Sequence, residues 1–271
     1  MLFLLSSLAL AEDFPPAPNT AIVVAVYDGD TFTLDTGDKV RLAGANTPEL
    51  RPKEEFGIEA RDSATYLLLN KKVSLSYGAV QRDGYGRLIA SVKQDDVDTA
   101  THLIEQGYAH VFLIPPETLD PKPMLEAQKK AKEAKKGIWS IRRYQSNLHM
   151  TSFHANGIGD DNKNPNGEYL RVCNIATEPV NIKGYYITDI SRNKFEFPDL
   201  TIPAGHTVKI FSGKGKHQTD PAKQLEIYLG SDQGLWNNEH DKATIYSPDG
   251  EVQDSREHKP KSKKNPKNKH R

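Results

Sequence analysis

The sequence predicts two β-rich domains: a five-stranded OB-fold barrel with three helices, followed by a small antiparallel β-sandwich. Three observations carry this prediction. The chain has 271 residues, which is more than a single domain usually contains. Its first half alternates strand patterns with three helical segments, as an OB-fold with helical additions does. After Trp139 the helical periodicity ends, and short β runs separated by Gly, Pro and Asn follow.

The strands of the first domain are indicated by β-branched residues and by alternation of apolar with polar positions. They are expected at Ala21–Tyr27, around Phe32 and Leu34, around Val40 and Leu42, at Lys72–Tyr77 and at Arg87–Lys93. Turns are expected at Asp28–Asp30 and Thr36–Asp38, where Asp and Gly favour tight reversals.

Three helices are predicted from apolar periodicity and end signals. The first runs from about Lys53 to Asn70. The second opens at Asp98 and stops at Gly107, and the third covers about Pro123 to Lys136 before Gly137. The first domain is therefore placed at residues 20–140 and the sandwich at 150–255, with Ile141–His149 as a linker or a domain edge.

The two ends of the chain differ in character. Met1–Ala11 is apolar and too short to span a bilayer, which predicts a signal peptide and a secreted or periplasmic protein; a buried first strand is the alternative. No later apolar run is long enough for an integral membrane segment. The formal net charge is +0, but eight Lys or Arg against two acidic residues give Asp254–Arg271 a charge of +6. Residues 256–271 are therefore expected to be a disordered basic tail that contacts polyanions or a cell surface.

Three segments supply the groups that phosphodiester hydrolysis needs: a cation site, a base and charged donors for the phosphate. They are Asp28–Thr31, then Arg41–Glu49, then Asp83–Arg87. Carboxylate, amide and carbonyl oxygens suit calcium, whereas the planar fork of arginine suits phosphate. In this order, and followed by the Ala- and Lys-rich helix and Gly137-Ile138-Trp139, these segments resemble the staphylococcal nuclease family over roughly residues 21–139.

The resemblance implies a role for each candidate residue. Asp30, Asn46 and the carbonyl of Thr47 would hold Ca²⁺, with Asp28 bracing the turn. Arg41 and Arg87 would grip the scissile phosphate, Glu49 would orient or deprotonate the attacking water, and Tyr85 would contact the substrate. The implied activity is endonucleolytic hydrolysis of DNA and RNA by a monomer, with products that carry 3′-phosphate ends.

Each of these residues also has a simpler interpretation. Asp28 and Asp30 could stabilise a turn, Arg41 could face solvent, Glu49 could cap a helix, and Arg87 could only pair with Asp83. Taken singly, these interpretations are the better ones. The occurrence of all the residues in the family's order favours the functional interpretation.

The sequence departs from the family at several positions. Asn46 stands where an aspartate is usual, which removes one negative charge and should weaken metal affinity. A weaker calcium site, a preference for another divalent metal and a lost activity all remain open. Gly84 stands where a lysine is usual, and Leu113 and Pro115 align with two tyrosines that pack on the nucleotide. A core role is expected for Phe112. These departures keep an alternative open, namely a catalytically weakened module that only binds nucleic acid or adheres to a surface.

The second domain resembles the lamin-tail family, which implies an immunoglobulin-like sandwich. The resemblance rests on the segments Glu168–Asn174, Pro179–Tyr185, Phe195–Pro198, Ile202–Gly205 and Leu235–Asp241. Its histidines lack the close spacing of a zinc site, and Cys173 is expected in the core. Since Cys173 is the single cysteine, no intramolecular disulfide can form.

Overall fold

The computed structural model describes residues 15–116, 119–157 and 159–259. The predicted signal peptide and most of the predicted tail lie outside these residues. The described chain is mainly β with three α-helices. None of the described helices is long and apolar enough to cross a membrane.

The first domain is a closed five-stranded barrel. Strands β1 to β3 form a meander, β5 pairs antiparallel with β1 and β6, and a parallel pairing of β3 with β6 closes the barrel. A short ladder of β4 with β8 lies beside it. The strands are β1 (Thr20–Val26), β2 (Thr31–Leu34), β3 (Lys39–Leu42), β4 (Gly44–Asn46), β5 (Lys72–Arg82), β6 (Leu88–Gln94), β7 (Val97–Asp98) and β8 (His110–Phe112).

Three helices cover the barrel: α1 (Gly57–Leu68), α2 (Thr99–Glu105) and α3 (Lys122–Glu133). The Asp98 side chain caps α2 by accepting a hydrogen bond from the Thr101 amide at 2.8 Å, as its sequence position predicts. The first helix begins four residues later than predicted. Phe56, which precedes it, has a left-handed φ of 64°, so the chain enters the helix through a turn.

The second domain packs two four-stranded sheets face to face, in the orders β16-β15-β10-β9 and β13-β12-β17-β18. The pairing of β15 with β16 is parallel, so the sandwich is not wholly antiparallel as predicted. Its strands are β9 (Leu148–His154), β10 (Tyr169–Asn174), β11 (Val180–Asn181), β12 (Tyr186–Thr188), β13 (Lys194–Glu196), β14 (Thr201–Ile202), β15 (Thr207–Gly213), β16 (Leu225–Ser231), β17 (Asp241–Tyr246) and β18 (Val252–His258). Strand β18 continues three residues into the segment predicted to be tail.

Buried polar side chains explain why the sequence pattern of the second domain specifies this sandwich. The Glu168 carboxylate accepts the backbone N–H of Leu235 at 2.7 Å, and Trp236 packs on Phe153 with ring centroids 5.0 Å apart. Asn174 donates to the carbonyls of Glu178 and Ile202, both at 2.9 Å. These bonds supply partners for backbone N–H and C=O groups of the loops that would otherwise be buried without a hydrogen bond.

The two domains share an interface. The Leu113 amide donates to the Gly205 carbonyl at 2.8 Å, and the Thr207 amide donates to the Leu113 carbonyl at 3.1 Å. Tyr144, within the segment predicted to be a linker, is buried in an apolar cluster shared by the two domains. Cys173 belongs to the same cluster, and burial raises the pKa of its thiol, so its core role is confirmed.

Candidate functional site

The first candidate segment forms the turn between β1 and β2. The Asp28 carboxylate accepts the Asp30 amide at 3.1 Å, so Asp28 braces the turn as expected. The buried Asp30 carboxylate points across the barrel end, where Oδ2 accepts the backbone N–H of Thr47 at 2.7 Å and its hydroxyl at 3.0 Å. The turn and Thr47 of the second segment are therefore tied together.

Arg41, near the end of β3, is fixed by four acceptors. Its Nη1 donates to the carbonyls of Leu42 and Ala45, both at 2.8 Å. Its Nη2 lies 3.0 Å from Asn46 Oδ1 and 3.3 Å from Asp30 Oδ2. The guanidinium is thus held in one orientation among the candidate oxygen ligands, which contradicts the simpler interpretation of Arg41 as a solvent-facing charge.

A buried histidine that the sequence analysis missed sets the orientation of Asn46. Strands β4 and β8 place Asn46 opposite His110. Nδ1 of His110 lies 2.8 Å from the Val111 carbonyl, so we assign the proton to Nδ1. Nε2 is then free to accept from the Asn46 amide group at 3.4 Å, which turns the Asn46 oxygen toward Arg41. An aspartate at position 46 could not donate this bond.

Burial lowers the pKa of His110 to about 3, with a further contribution from His149, so the ring is neutral in the folded protein. Because the unfolded ring has a pKa of about 6.5, the stability that a neutral His110 contributes is present above that pH and lost as the pH falls toward 3. The loss should reach about 2 kcal/mol at pH 5.

We therefore expect the stability difference between the parent protein and His110→Gln to shrink by about 2 kcal/mol from pH 7.5 to pH 5. Urea denaturation at the two pH values measures it. The exposed His217 provides the control, since His217→Gln should leave the pH dependence unchanged. A constant difference for His110→Gln would contradict the burial of a neutral ring.

Glu49 lies among other carboxylates at the site. Its side chain reaches solvent, yet its surroundings remove enough hydration that burial is the largest cause of a pKa raised to about 7. Asp30, Asp28 and Glu54 raise the pKa further, and Arg41 lowers it. Burial and the neighbouring Asp30 likewise raise the pKa of Asp28 to about 6. The carboxylates of the site thus carry more negative charge than Arg41 compensates.

The third candidate segment is a turn between β5 and β6, and its arginine is partly engaged. The Asp83 carboxylate accepts from Nε of Arg87 at 2.7 Å and lies 2.7 Å from Nη2. Nη1 of Arg87 makes no hydrogen bond or ion pair among the residues that the structure describes. Tyr85 is 79% exposed and its ring lies 5.5 Å from the Arg87 guanidinium.

The structure brings several of the predicted residues to one groove of about 410 Å³. Arg41, Asn46, Tyr85 and Arg87 line it. Asp30 contacts Arg41 on the groove wall, and Thr47 in turn donates to Asp30. Glu49 is not among the residues that line the groove. Phe112, expected in the core, is half-buried: it packs against the apolar cluster shared by the two domains and also lines the groove, 5.7 Å from the Arg41 guanidinium.

The oxygen atoms at the turn fit a divalent cation of the calcium type. Asp30, Asn46 and the Thr47 carbonyl supply hard oxygen donors, and the raised pKa of Asp28 and Glu49 marks a charge excess that a cation would relieve. No cluster of three or more His, Cys, Asp or Glu side chains suited to a metal occurs among residues 15–116, 119–157 and 159–259. The candidate site therefore depends on an amide and a carbonyl as well as a carboxylate.

A second group of residues that the sequence did not reveal supports the Glu49 loop from behind. The Glu54 carboxylate accepts the Glu49 amide through Oε2 at 2.9 Å. Its Oε1 lies 3.2 Å from Nη1 of Arg143 and 2.7 Å from Nη2 of Arg256. Because Arg256 belongs to β18, the second domain holds the loop that carries Glu49. No local sequence signal joins residues this far apart in the chain.

Comparisons with known proteins agree with this geometry. Residues 39–141 match the family model "Staphylococcal nuclease homologue", and residues 139–260 match "Lamin Tail Domain". The thermonuclease of Staphylococcus hyicus is 34% identical over 125 residues, which make up 44% of this chain and 74% of that protein. The thermonuclease of Staphylococcus intermedius is 32% identical over the same shares.

Endonuclease YhcR of Bacillus subtilis (strain 168) is 30% identical over 157 residues, which are 50% of this chain and 13% of that protein. The closed barrel, the order of the three candidate segments and the lamin-tail sandwich behind them all point to one assignment. The chain belongs to the staphylococcal nuclease family and is a nuclease that carries a lamin-tail domain.

Proposed function

We propose that this nuclease is an exported, calcium-assisted endonuclease that hydrolyses DNA and RNA and leaves 3′-phosphate ends. The observation that carries the proposal is the Glu49 carboxylate, which lies close enough to the fixed Arg41 guanidinium to feel its charge. Burial is the largest cause that raises the pKa of this carboxylate to about 7. A general base works best when its pKa is close to the working pH. The export rests on the apolar Met1–Ala11 segment.

The carboxylates favour hydrolysis over simple binding. A module that only binds a polyanion loses affinity with each anionic side chain near the phosphate. Asp30 is close enough to Asp28 and Glu49 to contribute to the raised pKa of both. A group of neighbouring carboxylates is useful in a site that binds a metal ion and needs a general base.

In the proposed reaction, Glu49 takes a proton from water, whose oxygen attacks the phosphorus. The bond to the 5′ oxygen breaks, and the leaving oxygen takes up a proton, so that the phosphate stays on the 3′ side. Arg87 can donate through its uncommitted Nη1 to a phosphate oxygen. Arg41 stabilises the negative charge that builds up on the equatorial oxygens.

Asp30, Asn46 and the Thr47 carbonyl would hold the calcium ion. When bound, the ion would neutralise charge on the phosphate and lower the pKa of a nearby water. The chain itself keeps these oxygens in place: Thr47 fixes Asp30 through two hydrogen bonds, and His110 fixes the Asn46 amide.

Release of acid-soluble nucleotides from single-stranded DNA and from RNA during a calcium titration tests the proposal. Activity that depends on Ca²⁺ and is abolished by EDTA is expected, and the product ends should be substrates for a 3′-phosphatase. Absence of activity with Ca²⁺, Mg²⁺ and Mn²⁺ in a protein that still binds DNA would instead support the binding module.

Asn46→Asp should change metal affinity and stability in opposite directions. The added charge should lower the calcium concentration for half-maximal activity, because calcium affinity rises with the ligand charge. The introduced carboxylate would face the unprotonated Nε2 of His110, and two acceptors without a proton should cost about 1–3 kcal/mol of unfolding free energy at pH 8. Calcium titration and urea denaturation measure the two effects. Asn162→Asp, in an exposed loop of the sandwich, should produce neither.

A further inference from the structure

The outer face of one sandwich sheet carries a row of aromatic side chains across all four strands. His154 of β9 lies opposite Tyr169 of β10, Tyr169 opposite Phe211 of β15, and Phe211 beside Tyr228 of β16. The His154 and Tyr169 rings stack with centroids 4.3 Å apart, and the Phe211 and Tyr228 rings with centroids 4.9 Å apart. Alternate residues of these strands face the core, so this row faces away from it.

Two cations lie within the aromatic row. Lys209 Nζ lies 3.8 Å from the Tyr169 ring centroid and 4.6 Å from that of Phe211. Arg171, opposite Lys209 in the sheet, donates to the neutral side chains of Thr207 and Gln224. Glu226 is the acid beside them, opposite Lys209 in register, and it accepts the Tyr228 hydroxyl at 2.8 Å. The face therefore keeps a net positive charge near the aromatic rings.

This face continues the groove of the candidate site. Thr151, Ser152, His154, Tyr169 and Arg171 of the sandwich line the same groove as Arg41 and Arg87 of the barrel. After burial, the Tyr85 phenol across the groove is the next cause of the raised pKa of Tyr169. Burial, and then Lys209 and Arg171, lower the pKa of His154, which shows that the field of both cations reaches the groove.

Contacts between the two domains fix the side of the groove that the sandwich forms. Leu113, whose neighbours on the chain line the groove, exchanges backbone hydrogen bonds with Gly205 and Thr207 at 2.8 and 3.1 Å. Arg143 and Arg256 join the sandwich to the Glu49 loop through Glu54. A polymer in the groove therefore meets both walls at once.

We propose that the sandwich face around His154, Tyr169, Arg171 and Lys209 is a second binding surface for single-stranded nucleic acid. A base of the strand stacks on the face of the His154 ring that is turned away from Tyr169, while Tyr169 supports that ring from behind. The cations contact the neighbouring phosphates. Unstacked bases are required, because paired bases do not expose the ring faces that aromatic side chains cover. The surface extends the contact with the substrate beyond the bond that is cleaved, and in this sense it rests on the proposed function.

Binding of short and long strands separates this surface from the catalytic site. The full chain with Glu49→Gln, in EDTA, is titrated into fluorescein-labelled single-stranded tetranucleotide and dodecanucleotide while anisotropy is recorded. We expect the longer strand to bind more tightly. His154→Ala should raise the Kd for the dodecanucleotide about 10-fold, equivalent to about 1.4 kcal/mol, and that for the tetranucleotide by less than about 2-fold.

Lys209→Gln should also weaken binding of the dodecanucleotide and reduce the slope of log K against log salt by about 0.7, the value for one phosphate contact on a single strand. Lys242→Gln, on the opposite sheet, is the matched control and should change neither quantity. The proposal is overturned if the two strands bind equally, or if both variants bind the dodecanucleotide as tightly as the control. A failure of the proposed function would appear elsewhere, as absence of cleavage by the parent protein with any divalent metal.

Discussion

Glu49→Gln is expected to lower the turnover number on single-stranded DNA about 10²- to 10⁴-fold, the usual contribution of a general base. Glutamine has nearly the same shape, so the loop and the hydrogen bond from the Glu49 amide to Glu54 should persist. What is lost is the ability to accept a proton from water. Initial rates at saturating calcium and pH 8 measure the effect, with thermal unfolding as a check on the fold.

The pH dependence of the parent enzyme offers a second measurement of the same role. The unprotonated carboxylate is the active form, so activity should fall as the pH drops below about 7, the pKa to which burial and the neighbouring Asp30 raise Glu49. A divalent cation near Asp30 would lower that pKa, so the profile should move to lower pH as calcium is increased.

Glu55 lies further along the same loop, is exposed, and makes a suitable control for Glu49. Glu55→Gln should keep the activity and the pH profile of the parent enzyme. If Glu49→Gln retained more than about a tenth of the parent rate, the base would have to be sought elsewhere. Retained activity with an unchanged pH profile would remove Glu49 from the proposed mechanism altogether.

Glu54→Gln should be the most damaging single change at the domain interface, with a loss of about 3 kcal/mol of unfolding free energy. The carboxylate serves the Glu49 amide with one oxygen and two guanidinium groups with the other. An amide has one acceptor oxygen, so its NH2 group would face either the Glu49 N–H or the N–H groups of the two arginines, and those donors lose their acceptor. The side chains of Glu54 and Arg256 are only 15% and 18% exposed, so water compensates poorly.

Urea denaturation measures this loss, and cleavage rates report its effect on the Glu49 loop. Activity should fall together with stability, because the support of the loop is removed. Glu59→Gln, at an exposed position in the first turn of α1, provides the matched control and should leave both quantities unchanged. A Glu54→Gln protein as stable as this control would mean that the second domain does not support the nuclease site.

Much of the fold follows from local patterns that the sequence displays. Alternation at Phe32 and Leu34 predicts a strand whose two apolar side chains are fully buried. Asp98 predicts the start of a helix because its side chain caps the free amides there. The first helix was placed too early, because the turn that ends at Phe56 has no apolar period to distinguish it from the helix.

For the candidate site too, local sequence patterns explain one part and the tertiary structure explains the rest. The order of Asp28–Thr31, Arg41–Glu49 and Asp83–Arg87 was enough to predict the family and to select the candidate segments. The sequence could not show that Arg87 is paired with Asp83 while Arg41 is held by two backbone carbonyls. Such partners depend on how the turns fold back on the barrel.

The sequence by itself therefore determined the two domains, the family and the residue types of the candidate segments, since these depend on local periodicity and on motifs of adjacent residues. The tertiary structure decided which distant groups meet. It placed His110 behind Asn46, Arg256 on Glu54, and Tyr169 on the groove wall. These contacts arise from strand pairing and domain packing between segments far apart in the chain, and no pattern of neighbouring residues encodes them.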